Sequence, residues 1–251
     1  MKDYQVLSFN LRVNTINDGK YAWIYRKSYV FDFIHKNDFD LIGFQEVTPD
    51  MYSELNQHLN LYESFGVSRD ASGESTPIYV KKDKFRVIES KTLWLSKTPE
   101  IESIIKGSNF PRIVTYIIAD DGSKLLAYFN THLDYASDEI CKEQTEILVN
   151  IIQKIQLKYK CEIILAGDFN QHPESQTVKY LDRHFISCYQ DKNQYSLTFH
   201  GFTGQIKGLP IDYIYISKGI HNQNYKVYSE QKNKIFLSDH YPLIMKFSIK
   251  K

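Results

Sequence analysis

The sequence predicts an α/β (α+β) chain folded as a sandwich of two packed sheets with helices outside. Two strand–helix–strand runs predict it. The first takes residues 6–9, 21–37 and 41–44; the second takes 125–130, 137–159 and 163–166. Each leading strand ends in Phe-Asn, at Asn10 and Asn130, and each closing strand ends in an acid, at Glu46 and Asp168. Matching layers that meet at their strand ends would gather these four positions.

The elements follow in order. Val6-Leu7-Ser8-Phe9 reads as a buried strand, and Asp18-Gly19 punctuates a loop. From Tyr21, the residues Trp23, Val30, Phe31 and Ile34 recur at helical spacing, with Arg26, Lys27 and Lys36 on the other face. Asp40 to Phe44 is a second buried strand. Thr48 then offers an N-cap, Pro49 fits a first turn and Asp50 suits the helix dipole. Met51, Leu55 and Leu59 form that helix's apolar stripe. Extended segments are expected at 76–80, 85–95, 113–119 and 125–130, with Asp121-Gly122 as a hairpin signal. Ser137 caps a long helix whose Ile140, Ile147, Leu148, Ile151, Ile152 and Ile155 share a face. Further strands are expected at 162–166, 211–216, 225–229 and 242–249, and 97–109 reads as a mobile surface loop.

Bulk composition narrows the class. The 251 residues suit one domain spanning 1–251, and 42% apolar content supplies a full core. A formal net charge of +1 leaves no whole-protein electrostatic footprint for nucleic acid. Cys141, Cys161 and Cys188 match neither a zinc spacing nor a disulfide framework, so reduced structural thiols are expected. No signal peptide and no run near ~20 apolar residues is visible, so a cytoplasmic protein without a membrane anchor is expected.

Short polar clusters end the apolar runs. Asp168 and Asn170 stand two apart, so an extended chain turns both to one ligand; an Asx-turn is the alternative. Glu46 ends a buried strand, where a carboxylate is costly unless it is paired or metal-bound. Its alternative is an ion pair with Arg12 or Lys27. Alternation sends His132 to one side with Asn130 and Asp134. Arg112 offers a phosphate anchor, or else a surface charge. Glu74 sits in a loop where a solvated acid is the simpler reading. Asp212 begins a strand and is a candidate to fix the tautomer of His240, which leaves Asp239 free for metal. The oxygen-rich set Asn10, Glu46, Asp168, Asn170 and Asp239 suits Mg²⁺ or Mn²⁺ rather than zinc. Tyr135, Phe199, His200 and Phe202 form either an aromatic wall for a base or ordinary core and loop.

The order Asn10, Gln45-Glu46, Thr131-His132, Gly167-Asp168-Phe169-Asn170, Asp212-Tyr213, Ser238-Asp239-His240 resembles the endonuclease/exonuclease/phosphatase superfamily, which includes the pancreatic-type deoxyribonucleases. Gly66-Val67-Ser68-Arg69-Asp70, Trp94-Leu95-Ser96, Pro111-Arg112 and Thr198-Phe199-His200-Gly201-Phe202 look closest to a bacterial, deadenylase-like branch. The resemblance implies a four-layer α-β-β-α sandwich of deoxyribonuclease type. It implies Glu46 as the main metal carboxylate, with Asn10 and Asp239 close to the metal. Asp168 and Asn170 would orient the attacking water and the phosphate, with Asp168 taken as the proton acceptor. His240, supported by Asp212, and His132, partnered by Glu74, would face the phosphate, with Arg112 as a further phosphate contact. The implied activity is metal-dependent hydrolysis of a phosphodiester or phosphomonoester.

Departures bear on the substrate. The Cys-Asp-Arg segment of inositol polyphosphate 5-phosphatases is absent, and Lys207-Gly208-Leu209-Pro210-Ile211 replaces the Trp-containing strand of apurinic endonucleases. A small or single-stranded phosphoester is therefore expected, such as single-stranded nucleic acid or a nucleotide, acted on by a monomer. The competing reading is a catalytically silent binding or regulatory module on the same scaffold.

Overall fold

In the computed structural model, which describes residues 2–191 and 195–250, both strand–helix–strand runs close as parallel pairs. In the first, β1 (Asp3–Asn10) and β2 (Leu41–Gln45) flank α1 (Trp23–Asn37). In the second, β7 (Leu125–His132) and β8 (Glu162–Asp168) flank α3 (Asp138–Tyr159). Every other pairing is antiparallel. The first sheet adds β3 (Tyr62–Phe65), β4 (Ile78–Lys81), β11 (Ile220–Val227) and β12 (Leu243–Ile249), in the order β11-β12-β1-β2-β4-β3. The second adds β5 (Arg86–Trp94), β6 (Ile113–Asp120), β9 (Ile186–Ser187) and β10 (Asp212–Ile216), in the order β5-β6-β7-β8-β10-β9. Short helices α2 (Pro49–His58) and α4 (Gln176–Leu181) and a 3-10 helix at Ile16–Tyr21 complete the regular structure of the described residues.

Strand alternation explains the layering. In the first sheet Val6, Leu41, Ile78 and Val80 face the second sheet, in one core cluster with Leu126, Tyr128 and Ile164. Their neighbours Leu7, Ile42 and Tyr79 turn the other way and pack with Val30 and Ile34 of α1 and Met51 and Leu55 of α2. On the far side α3 packs on β7 and β8 through Leu148, Val149 and Ile152. The result is the four-layer α-β-β-α sandwich.

A buried polar seam crosses between the sheets. Asn130 of β7 donates Nδ2 to the carbonyls of Phe44 (2.7 Å) and Pro77 (3.0 Å), and its Oδ1 accepts from Gln45 Nε2 at 2.6 Å. Gly43 makes room for this seam, because a Cβ there would lie 2.4 Å from the Tyr128 hydroxyl. These bonds fix how one sheet slides over the other, a registry that apolar contacts alone specify poorly.

Several local expectations are corrected. Arg26 lies inside the molecule, fully buried, although helical spacing assigns it to the polar face of α1. Its guanidinium donates to the carbonyls of Tyr21 (2.5 Å), Leu11 (2.9 Å) and Leu237 (2.6 Å), so it satisfies backbone that no helix or sheet ladder reaches. Burial pushes its pKa down to about 10, and it remains a cation at neutral pH. On α3 the buried stripe runs Cys141, Gln144, Thr145, Leu148, Val149, Ile152 and Ile155, whereas Ile140 is half-buried. Strand β11 starts at Ile220, ahead of the expected 225, and carries an irregularity between Asn222 and Asn224. The turn after β6 takes four residues, with Asp121 Oδ1 accepting from the amides of Ser123 and Lys124. Residues 97–109 form an irregular loop, but Asp134 ties down one end through Ser108 and Asn109. All three cysteines are buried and free. Among the described residues, no helix is long and apolar enough to cross a membrane.

Removing the Arg26 guanidinium strands the buried carbonyls of Leu11 and Leu237 and the half-buried one of Tyr21. Hydrogen bonds to a charged donor contribute about 1.5–3 kcal/mol each, so Arg26→Met should cost about 3 kcal/mol or more of stability. Urea unfolding checks this; a loss within about 0.5 kcal/mol, typical of an exposed site, would contradict it.

Candidate active site

The site is built at the ends of three adjacent strands. Parallel β7 and β8 set His132 opposite Asp168, and antiparallel β8 and β10 set Asp212 opposite Asp168. One row across the second sheet therefore carries an imidazole and two carboxylates. Gly167 is required here: it has φ 151°, and a Cβ would fall 2.0 Å from the Thr131 carbonyl. His240 enters from the segment leading into β12. Its Nδ1 lies 2.9 Å from Asp212 Oδ2, and its Nε2 lies 3.6 Å from Asp168 Oδ2. Thr198 braces both partners: its hydroxyl accepts from the Asp212 amide at 3.2 Å and its carbonyl accepts from the Tyr241 amide at 2.7 Å.

Asp168 sits between two imidazoles, since its Oδ2 is also 3.6 Å from His132 Nε2. Burial and the charge of Asp212 push its carboxyl up to about 7, against the pull of His240 and the bonds from Asn170 N and Asn10 Nδ2. Burial disfavours charge on both histidines, yet they diverge. Asp212 and Asp168 outweigh burial at His240 and raise it to about 10, so it is an imidazolium at neutral pH. His132 is held well below the usual range by burial, then by the positive charges of Arg112, His240 and Arg69, so it is neutral. Asn170, at φ 51°, holds it from the side, with Nδ2 at 3.0 Å from His132 Nε2 and donating to the Leu133 carbonyl at 3.0 Å.

The first sheet supplies the facing wall. Asn10 Nδ2 donates to Glu46 Oε1 and to Asp168 Oδ2, at 3.0 Å each, and its Oδ1 accepts from Arg12 N at 2.9 Å. Glu46, at φ 59°, also accepts from Val13 N at 2.9 Å. The two cations that could have neutralised Glu46 by an ion pair are used elsewhere. Arg12 pairs with Asp18 at 3.1 Å and approaches Asp239 at 3.7 Å, and Lys27 pairs with Glu54. Asp239 is raised from its ordinary value by burial and by Glu46, against His240 and Arg12.

Of the four strand-end positions, Asn10, Glu46 and Asp168 meet, while Asn130 lies deeper, in the seam. Glu74 is near His132, 3.9 Å from Nδ1, but it is bonded to Arg69 Nη1 at 2.7 Å. Arg112 is buried rather than a surface charge, 3.5 Å from Asp134. Tyr135, Phe199 and Phe202 line the cleft; His200 is buried instead and stacks on Tyr241 at 3.9 Å. The cleft has a volume of about 560 Å³ and is also lined by Arg12, Arg69 and Phe110, which sequence reasoning did not place in the site. Arg69 belongs to the Gly66 to Asp70 pattern, so an arginine beside an acid in a Gly-bounded segment was the available signal.

Among the described residues, Asp168, Asp212 and His240 form a cluster whose ligand-type atoms lie within 4.8 Å of one another. That closeness is the acid–imidazole chain itself, and a cation there would compete with the His240 imidazolium. Glu46 and Asp239 instead line the cleft as two carboxylates whose charges repel, an oxygen donor pair that fits a hard divalent ion.

Comparison with known proteins agrees with this architecture. The endonuclease/exonuclease/phosphatase family model matches residues 7–240. An endonuclease/exonuclease/phosphatase from Bacteroides vulgatus shares 26% identity over 100% of both chains, with a TM-score of 0.90. A mannosyl-6-phosphatase from Bacteroides thetaiotaomicron gives a TM-score of 0.91 at 24% identity, over 98% of this chain and 100% of that one. The human Nocturnin catalytic domain with bound sulfate gives 0.79 at 17% identity, over 99% and 95%. No curated protein matches the sequence. With its site residues strung along 10–240 and the family model spanning that whole stretch, the chain belongs to the endonuclease/exonuclease/phosphatase family, whose members hydrolyse phosphoester bonds.

Proposed function

We propose that the chain is a divalent-metal-dependent phosphoesterase that cleaves a phosphodiester or phosphomonoester by in-line attack of water. One observation carries this reading: a run Asp212–His240–Asp168–Asn10–Glu46, buried as far as Asn10, joins the two sheets and opens into a cleft. The substrate is a nucleotide, a single-stranded nucleic acid or another small phosphoester. Tyr135 and Phe199 suit its organic part, being exposed at 59% and 46% beside the cleft. Because the site draws on both sheets, residues 1–251 act as one unit, and one chain suffices as a monomer.

Glu46 and Asp239, with Asn10 alongside, would hold Mg²⁺ or Mn²⁺. Such an ion, when bound, polarises a phosphoryl oxygen and offsets its developing charge. The remaining roles belong to the chain. Asp168, with a carboxyl near 7, accepts the proton of the attacking water. The water oxygen bonds to phosphorus as the ester P–O bond breaks, and the bond pair leaves on the ester oxygen, which takes a proton from solvent. His240, kept cationic by Asp212, donates to a non-bridging oxygen whose charge grows in the transition state. His132 is neutral and adds a hydrogen bond without adding charge.

Purified protein should hydrolyse members of a panel of p-nitrophenyl phosphates, nucleotides and short RNA with Mg²⁺ or Mn²⁺, and chelator should abolish this. Glu46→Ala and His240→Ala should each lower kcat by about 100-fold or more, the size of losing one preorganised electrostatic contact. Unchanged rates in both variants would refute the assignment. Metal-dependent binding without turnover of any phosphoester would favour the silent binding module.

Asp212→Asn tests the imidazole support separately. It keeps the shape but removes the charge opposite His240, and a kcat loss of about 100-fold or more is expected, the scale of a general acid–base contribution. A change confined to KM would contradict this role.

A further inference from the structure

Arg112 is a cleft-lining arginine whose hydrogen-bonding capacity the protein leaves unused. Its side chain is 3% exposed, and among the described residues it makes no hydrogen bond. Asp134, 3.5 Å from its Nε, is already committed elsewhere. Asp134 Oδ2 accepts from Ser108 Oγ and from the amides of Asn109 and Phe110, and Oδ1 accepts from Asn109 Nδ2 and the Ala136 amide. Five bonds saturate that carboxylate, which thereby anchors a loop and leaves little for the guanidinium. Arg12 is the contrast, satisfied by two bonds to Asp18.

Arg69 stands beside Arg112. Both guanidinium carbons lie over the Phe110 ring, at 4.4 Å for Arg69 and 5.4 Å for Arg112. Orphaned buried nitrogens collect in the same corner: Arg69 Nε, Arg112 Nε and His132 Nδ1. A buried guanidinium without a hydrogen-bond partner is costly, and its planar fork matches phosphate oxygens in pairs. This end of the cleft is also enclosed, since Arg69, Arg112 and His132 are each under 8% exposed.

We propose that Arg69 and Arg112 form an anion-binding end of the cleft that takes the free oxygens of a terminal, doubly charged phosphate, so that phosphomonoesters are the preferred substrate class. A monoester presents three unsubstituted oxygens and two charges to this end. A diester presents one charge fewer, and its second substituent must fit beside Phe110, which lines the cleft and is held by its amide to Asp134. The proposal rests on the phosphoesterase reading above but goes further, by choosing between the ester classes.

The test compares p-nitrophenyl phosphate with bis-p-nitrophenyl phosphate in Mn²⁺, for the wild type, Arg112→Met, Arg69→Met and Arg112→Lys. Inorganic phosphate is titrated by calorimetry against the same proteins, with thermal melts as the check on folding. The wild type should prefer the monoester. Arg112→Met should lower its kcat/KM by about 100-fold, as for one preorganised donor, while the diester rate falls less than about fivefold. Phosphate affinity should fall by about tenfold or more, the scale of a lost charge-assisted hydrogen bond. If Arg112→Met does not fold, Arg112→Lys decides by the same monoester-selective loss. A wild-type preference for the diester, equal losses on both substrates, or undiminished phosphate binding would overturn the proposal. Should the wild type hydrolyse neither ester, the phosphoesterase reading fails, and the calorimetric comparison still decides the anion site.

Discussion

One amide group ties the two sheets together where the chemistry is placed. Asn10 Nδ2 reaches Glu46 on its own sheet and Asp168 on the other, at 3.0 Å each. A buried acid and a half-buried one that would repel are thereby bridged through a single donor, and the gap between the sheets is set at their open end. The Asn130 seam sets the sliding registry one step deeper. With both fixed, His132, Asp168 and Asp212 can use strand register as their ruler, and His240 needs only a short segment to reach them. A rigid frame of this kind holds functional groups more accurately than loops do.

The same frame gives two chemically identical side chains opposite protonation states. His240 and His132 lie equally far from the shared Asp168 oxygen, at 3.6 Å. The difference comes from what stands behind each ring: Asp212 behind His240, and the paired arginines near His132. Positive charge is thus spread over one imidazolium and two guanidiniums, while a neutral imidazole separates them. That distribution suits an anion with charge on several oxygens better than a single concentrated cation would.

Much of this was legible in the residues because it depends on short-range rules. Apolar runs ending in Asn10, Glu46, His132 and Asp168, and one beginning at Asp212, mark strand ends, and strand ends that share a sheet become neighbours. The two strand–helix–strand runs likewise announced their parallel pairs. What was not legible depends on distant backbone. Arg26 has a sound place on the polar face of an amphipathic helix until Leu237, far along the chain, presents a carbonyl to it. The roles of Arg69 and Phe110 arise from two loops, distant in sequence, that meet through the Arg69 guanidinium and the Phe110 ring, and local periodicity carries no information about that packing. Glu74 was expected beside His132 and does lie near it, but its closest bond is to Arg69, a pairing that residue spacing could not rank.

The pairing of β1 with β12 has a consequence for synthesis. In the first sheet β1 lies between β2 and β12, with Asp3 opposite Ser248. During translation the first strand meets β2 early, but its other edge waits until the residues of β12 have emerged. Through that interval a nascent chain carries an open, apolar strand edge, the kind of surface that recruits chaperones or neighbouring chains. Asp239 and His240 arrive in the same late stretch as the closing strand. Closing the sheet and completing the acid–imidazole row therefore depend on the same late-made stretch.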